Sequence, residues 1–281
     1  MLRRFSNTRS VFFGRAGLIF FMAFLCSSYS GKQTVLIHSH NDYQKNIPFY
    51  RAYSQQVHTI EADIYAAPAS EGLLVAHDPH ELDSALSLDE MYLEPLIFLF
   101  GQNEGRPWRG SEQVLTLMID LKTPLHPTID RLIAKLKRHP EVFDPSVNPY
   151  AVRIVISGSR PDPEAFGEYP RFISFDGFID VDYTPQQLER VAFISEPFFR
   201  YSKWKGGADT LSAEDRQVIE SLVAKSHKTG KPIRFWGSPD TVNAWETFRE
   251  LGIDYVAWKN GPGADILSAG FDFSNFYSKQ G

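Results

Sequence analysis

The chain has 281 residues, 43% of them hydrophobic and 22% charged, enough to bury a sizeable core and too apolar for a disordered protein. Its 29 Lys and Arg stand against 34 Asp and Glu, a formal charge of -5, so no basic excess is available to hold nucleic acid. A single cysteine, Cys26, excludes an internal disulfide framework, a Cys-rich zinc module and an iron–sulfur cluster.

The first 30 residues read as a targeting segment and residues 31–281 as one domain. Arg3, Arg4, Arg9 and Arg15 occur without an acid, the run Ala16–Cys26 is uncharged, and Ser27, Ser28 and Ser30 follow. A basic start, a short apolar run and small residues are the parts of a secretory signal, with cleavage after Ser30. The run is shorter than the roughly 20 residues of a membrane-spanning helix. Export to the periplasm or the medium is therefore expected. The alternatives are a retained N-terminal anchor and a lipoprotein signal at Cys26, for which Leu25 is the wrong preceding residue. Without this segment, 25 basic residues remain against 34 acidic ones, a charge of -9, and no cysteine is left.

From residue 34 onwards, short apolar runs alternate with longer helical patterns. The runs are Val35–His38, Thr59–Tyr65, Leu115–Leu121, Val152–Ser157, Phe175–Ile179, Ala192–Ser195, Pro232–Trp236 and Tyr255–Trp258. Between them, Thr128–Arg138, Ser212–Thr229 and Pro239–Leu251 read as helices, with Ser212 as an N-cap and Gly230 and Gly252 as stops. Alternating strands and helices predict a parallel sheet with right-handed crossovers. Eight units in about 250 residues fit a single-domain (β/α)8 TIM barrel. An open doubly wound sheet is the rival, and no nucleotide-binding glycine motif supports it. Asp78–Ser111 is the least regular stretch and is expected to cap one end of the barrel.

Charge appears where a strand should be apolar. Glu61 and Asp63 are two apart in Thr59–Tyr65 and share a face. In a parallel barrel such a pair is costly unless it lies at the mouth and a cation neutralises it, and hard oxygen ligands suit Mg²⁺ or Ca²⁺. Structural salt bridges are the plainer alternative. Asp120 and Lys122 repeat the spacing at the end of the next run, giving a third carboxylate and a positive charge for an anionic substrate. Histidines stand at strand ends: Val35–Ile37 leads into His38-Ser39-His40-Asn41-Asp42, and Leu73–Ala76 into His77-Asp78. Imidazoles so placed can titrate near neutral pH as an acid and a base.

These residues resemble the phosphatidylinositol-specific phospholipase C and glycerophosphodiester phosphodiesterase superfamily of TIM-barrel enzymes, in its altered inheritance of mitochondria protein 6-like branch. The resemblance runs from Val35 to Trp258 through HSHNDY at 38–43, IEADIY at 60–65, LLVAHD at 73–78, IDLKT at 119–123 and RFWGSPD at 234–240. It implies a phosphoric diester hydrolase of PLC-like type acting on a glycerophosphodiester or phospholipid-like small molecule. By motif, His77 and either His38 or His40 are the acid/base pair, with His38 favoured because it ends the strand directly. Glu61, Asp63 and Asp120 are the ligands of a divalent metal, and Lys122 contacts phosphate. The arginine that usually follows the first histidine is absent, leaving Asn41 as a candidate phosphate contact. Trp236 and Trp258 are candidate walls of the mouth, with Tyr201, Lys203 and Trp204 as a weaker polar–aromatic set. The branch usually ends its last strand with an Asp-containing turn, where this chain has Trp258-Lys259-Asn260-Gly261.

Two other functions compete. A metal-dependent amidohydrolase also uses His-x-His after its first strand, but needs further His ligands on later strands. After Lys122 the histidines are only His126, His139 and His227, in a loop or on helices. A non-catalytic barrel that binds a phosphorylated lipid or glycan is the other, since fold alone does not imply catalysis. No amphipathic helix is evident that would bind a membrane surface.

Overall fold

The eight-residue run Thr59–Ala66 is the longest strand of the computed structural model, which describes residues 35–67 and 70–259. Ile60, Ala62 and Ile64 face the outer core, while Glu61 and Asp63 face the barrel interior. The same alternation organises the strands β1 (Leu36–Ser39), β2 (Thr59–Ala66), β3 (Leu73–Val75), β4 (Thr116–Leu121), β5 (Arg153–Gly158), β6 (Ile173–Gly177), β7 (Val191–Pro197), β8 (Ile233–Trp236) and β9 (Tyr255–Trp258). Eight of them are parallel, in the order β1-β9-β8-β7-β6-β5-β4-β2, and the pairing of His38 with Thr59 closes β1 onto β2. This is a closed (β/α)8 TIM barrel, and the closure excludes the open doubly wound sheet.

The helices are α1 (Tyr50–Ser54), α2 (Glu94–Gln102), α3 (Leu125–Leu136), α4 (Pro140–Phe143), α5 (Pro185–Leu188), α6 (Ala213–Lys228) and α7 (Val242–Glu250). Ser212 caps α6 by accepting from the Asp215 N–H, and Gly230 follows it at φ +74°. Helix α7 starts at its cap Thr241, two residues later than Pro239 predicts, because the Thr241 hydroxyl is the side chain that accepts the Ala244 N–H, at 3.1 Å. None of the described helices is long and apolar enough to cross a membrane. The N-terminal stretch expected to be a targeting segment lies outside the described residues.

Strand β3, which leads into His77, lies outside the eight barrel strands and pairs antiparallel with β2, with Ile64 opposite Val75. Two expectations need correction. Strand β6 sits two residues earlier than Phe175–Ile179, in the same phase, with a register shift against β7 at Phe175 and Asp176. Asp78–Ser111 supplies the crossover helix α2 rather than an end cap: Leu93, Leu96 and Phe100 are buried in the outer core, and Pro95 in its first turn breaks the helical pattern.

Two apolar groups result. The outer core fills the layer between sheet and helices. A small plug of Met118, Val155 and Phe193, flanked by Ala192 and Tyr255, fills the barrel interior. On the strands that carry the plug, the inward-facing residues nearer the C-terminal end are polar: Asp120 follows Met118, Ser157 follows Val155 and Ser195 follows Phe193. The polar layer sits at the end of the barrel where active sites lie in this fold.

Candidate active site

The segment His38–Lys45 is shaped residue by residue. His38 and His40 are two apart and both reach Glu61 Oε2, through His38 Nε2 and His40 Nδ1, each at 2.7 Å. Ser39 points the other way and donates to Asp42 Oδ1 at 2.7 Å. Asn41 turns the chain at φ 44°, a left-handed conformation that asparagine tolerates. Asp42 is fully buried and anchors the loop, accepting from the Phe49 N–H at 2.5 Å and the Tyr92 hydroxyl at 3.1 Å. Buried Lys45 donates to Ser39 Oγ at 2.5 Å, the Trp258 carbonyl at 3.1 Å and the His40 carbonyl at 3.4 Å.

Asp63 is the hub on the other side. Its Oδ2 accepts from Tyr43 Oη at 2.8 Å, Lys122 Nζ at 2.9 Å and His77 Nδ1 at 3.2 Å. Lys122 also lies 3.2 Å from Asp120 Oδ1. Asn41 Nδ2 is 3.5 Å from His77 Nδ1, so Asn41 borders the same histidine. Gly158, at φ +69°, lets the chain pass over Asp120: a Cβ there would collide with Asp120 Oδ1 and stand 2.5 Å from the Leu121 carbonyl.

Glu61, Asp63 and Asp120 each bring one carboxylate oxygen to within 4.8 Å of the others. Asp63 and Asp120 are register partners on β2 and β4. Asp63 Oδ1 is buried and has no hydrogen-bond partner among the described residues. Burial and the neighbouring Glu61 raise the Asp63 carboxyl above its usual range, against the pull of Lys122. Burial opposes ionisation of Glu61 too, but His40 and His38 outweigh it and hold it well below the usual range. Crowded carboxylates with an orphaned buried oxygen fit a hard divalent cation.

His38, His40 and Glu61 form a second triad within 4.8 Å. A cation there meets Arg234, whose Nη1 is 2.7 Å from His38 Nε2 and 3.8 Å from Glu61 Oε2. A guanidinium occupies the place an amidohydrolase metal would need.

Arg234 is the residue that sequence reasoning missed. It is buried on the inner face of β8, donates to Ser195 Oγ at 2.6 Å and places Nη2 3.7 Å from Asp176 Oδ2. Burial, with Arg234 alongside, lowers the His38 imidazole to about 3, so it is neutral at pH 7. Asp176 is likewise buried, and burial raises its carboxyl although Arg234 and Arg160 oppose the rise. A charge at inward phase in an apolar strand was the available signal, the same one that marked Glu61.

The three histidines differ in access. The His38 side chain is 2% exposed, and its Nδ1 is buried with no partner among the described residues. His40 is 18% and His77 43% exposed. The aromatic candidates also part. Trp236 stands 39% exposed at the end of β8, edge-on to Phe199. Trp258 cannot wall the mouth: it is on the outer phase of β9, buried beneath Lys45 and Arg51. Of the weaker set, Tyr201 donates to buried Glu196 and Trp204 is buried against Phe248, which makes both structural.

The closed barrel is a fold shared with solved glycerophosphodiester phosphodiesterases. The chain is similar to the one from Parabacteroides distasonis, with TM-score 0.52 at 15% identity over 85% of this chain and 99% of that one. The Silicibacter pomeroyi structure described as a putative glycerophosphoryl diester phosphodiesterase gives TM-score 0.50 at 13% identity, over 85% and 94% of the two chains. Residues 29–143 match the AIM6-like phosphodiesterase domain. The Arthroderma benhamiae homolog of altered inheritance of mitochondria protein 6 is 32% identical over 255 residues, 80% of this chain and 78% of that protein. The Eremothecium gossypii protein of that name is 25% identical over 78% of this chain. The chain belongs to the family of altered inheritance of mitochondria protein 6. It spans 66% of the length of the Eremothecium relative and 62% of that from Lachancea thermotolerans.

These relatives overturn the expected destination. They are eukaryotic proteins named for inheritance of mitochondria, which does not fit the expected export to a periplasm or the medium.

Proposed function

We propose that the protein is a metal-dependent phosphodiesterase that cleaves a glycerophosphodiester or phospholipid-like substrate with His40 and His77 as its acid/base pair. One observation carries this reading: each of these accessible imidazoles is tied through Nδ1 to a carboxylate of β2, His40 to Glu61 and His77 to Asp63. A carboxylate that accepts from Nδ1 fixes the tautomer and leaves Nε2 for the substrate. His38 cannot serve in the same way, because its Nε2 is taken by Glu61 and Arg234 and its Nδ1 faces the protein interior.

Glu61, Asp63 and Asp120 would hold the cation, Mg²⁺ or Ca²⁺ by the hardness of their oxygens. When bound, it offsets the charge that develops on the phosphoryl oxygens. One of the two Nε2 atoms takes the proton of the attacking hydroxyl, from water or from a neighbouring alcohol of the substrate. The other gives a proton to the leaving oxygen, so the pair ends with its protonation exchanged. Lys122 and Asn41 border the same space and are placed to meet phosphoryl oxygens, Lys122 as a point charge. The substrate is a small molecule or lipid and no nucleic acid, in keeping with the acidic composition.

The test is hydrolysis of bis-p-nitrophenyl phosphate and of glycerophosphodiesters, with and without EDTA. Activity abolished by EDTA, restored by Mg²⁺ or Ca²⁺ and lost in Asp63→Asn supports the reading. Phosphate-ester binding without turnover under any cation favours a binding barrel instead. Activity that survives EDTA and Asp63→Asn overturns the metal.

A further inference from the structure

Three cationic side chains around the polar end of the barrel are committed to the protein. Lys45 is spent on Ser39 and two carbonyls, Arg234 on Ser195 and His38, and Lys122 on Asp63 and Asp120. Arg160, two residues after β5, is different. Its side chain is only 10% exposed, yet it makes no hydrogen bond among the described residues. Its contacts are an ion pair at 3.7 Å from Nη1 to Asp176 Oδ2 and a stack 3.8 Å from the centre of the Phe178 ring. A guanidinium this enclosed ordinarily spends several of its five donors on acceptors.

Its surroundings hold it in place. Phe178 is held by its own N–H, which donates to Tyr183 Oη at 2.9 Å, and the residue is 50% exposed. Asp176 stands at 3.7 Å from both Arg160 and Arg234, two cations to one carboxylate, and accepts from Ser157 Oγ at 3.3 Å. Ser157 is the register partner of Asp120. Arg160 therefore follows β5 and borders β6, on the side of Asp120 away from β2, whereas Lys122 leans towards Asp63 on β2.

We propose that Arg160 is an oxyanion-binding residue, which holds a phosphoryl oxygen of the substrate from the β5–β6 side while Lys122 meets it from the β2 side. The inference rests on the phosphodiesterase reading for its substrate, but the anion contact is testable without turnover. A planar fork backed by an aromatic ring suits paired phosphoryl oxygens better than an ammonium does.

Inorganic phosphate is titrated by calorimetry into the wild-type chain and Arg160→Met, and KM and kcat for bis-p-nitrophenyl phosphate are measured on both. The expected result is a phosphate Kd and a KM raised about tenfold or more, with a smaller change in kcat. Should Arg160→Met fail to fold by thermal unfolding, Arg160→Gln removes the charge while keeping a polar side chain, with the same expectation. Unchanged phosphate affinity and KM in the folded variant overturn the proposal and leave the phosphodiesterase reading standing. Phosphate binding that needs Arg160 in a chain that hydrolyses nothing supports the anion contact and removes the catalytic reading.

Discussion

Arg234 Nη1 lies 2.7 Å from His38 Nε2, and the same ring nitrogen lies 2.7 Å from Glu61 Oε2. One nitrogen faces a donor and a carboxylate at once, and Asp176 is the second acid beside Arg234. The buried charges are mutually dependent, so removing one partner leaves the others uncompensated.

Arg234→Met is expected to cost about 3–5 kcal/mol of folding stability, the range for breaking a buried charge network. Adding Asp176→Asn should recover part of that loss, since it removes one stranded carboxylate. Urea unfolding of the two single variants and the double variant gives the coupling. Additive losses would show that Arg234 and Asp176 do not depend on one another.

His40→Ala and His77→Ala should each lower kcat by about 10²- to 10⁴-fold, the usual contribution of an acid or base, with little change in melting temperature. His38→Ala should act mainly on stability, because the side chain is enclosed. Kinetics beside thermal unfolding separates the roles. A His38→Ala variant that is fully stable and inactive would reverse them.

Gly158→Ala places a Cβ against Asp120 Oδ1 and the Leu121 carbonyl, at a positive φ. A cost of roughly 1–3 kcal/mol is expected from backbone strain, with a loss of activity greater than the loss of stability because Asp120 must move. Equal, small effects on both would place Asp120 outside the machinery.

His58 gives the pH dependence to look for away from the site. Burial lowers its imidazole to about 4 from the usual 6.5, and Nδ1 accepts the Ile37 N–H at 3.2 Å. The unfolded chain then binds this proton first, so stability is full above pH 6.5 and falls as pH drops towards 4. The loss attributable to this group approaches about 3 kcal/mol. In His58→Asn, denaturation measured at pH 7 and pH 4.5 should show a smaller difference than wild type. An equal difference would assign the acid sensitivity elsewhere.

Glu61 and Asp63 were legible because a charge inside an apolar strand is anomalous, and a spacing of two puts both on one face. Arg234 in Ile233–Trp236 carries the same anomaly, but as a lone cation it reads as strand noise until its four partners are seen. Asp42 and Tyr43 stood in the HSHNDY motif with no role to read from it, and Lys45 had no signal, since a loop has no period. Strand β6 was misplaced by two residues because Ile173–Ile179 alternates equally well in either window. Trp258 could have been read more closely: if Tyr255 faces inward, a residue three along faces out. The proposed choice of His40 over His38 turns on depth along the barrel axis, which proximity to the strand end does not give.

The contact from Lys45 to the Trp258 carbonyl joins residues 213 apart in the chain. Residues 29–143, which match the family domain, contain both proposed acid/base histidines and all three carboxylates. Yet the loop that carries His40 is pinned by a strand that ends at Trp258. During synthesis the first motif to leave the ribosome must wait for the last strand before it can take its working shape. The machinery would thus be silent in any nascent chain shorter than the full ring, and a half-barrel fragment should bind neither cation nor phosphate with native affinity.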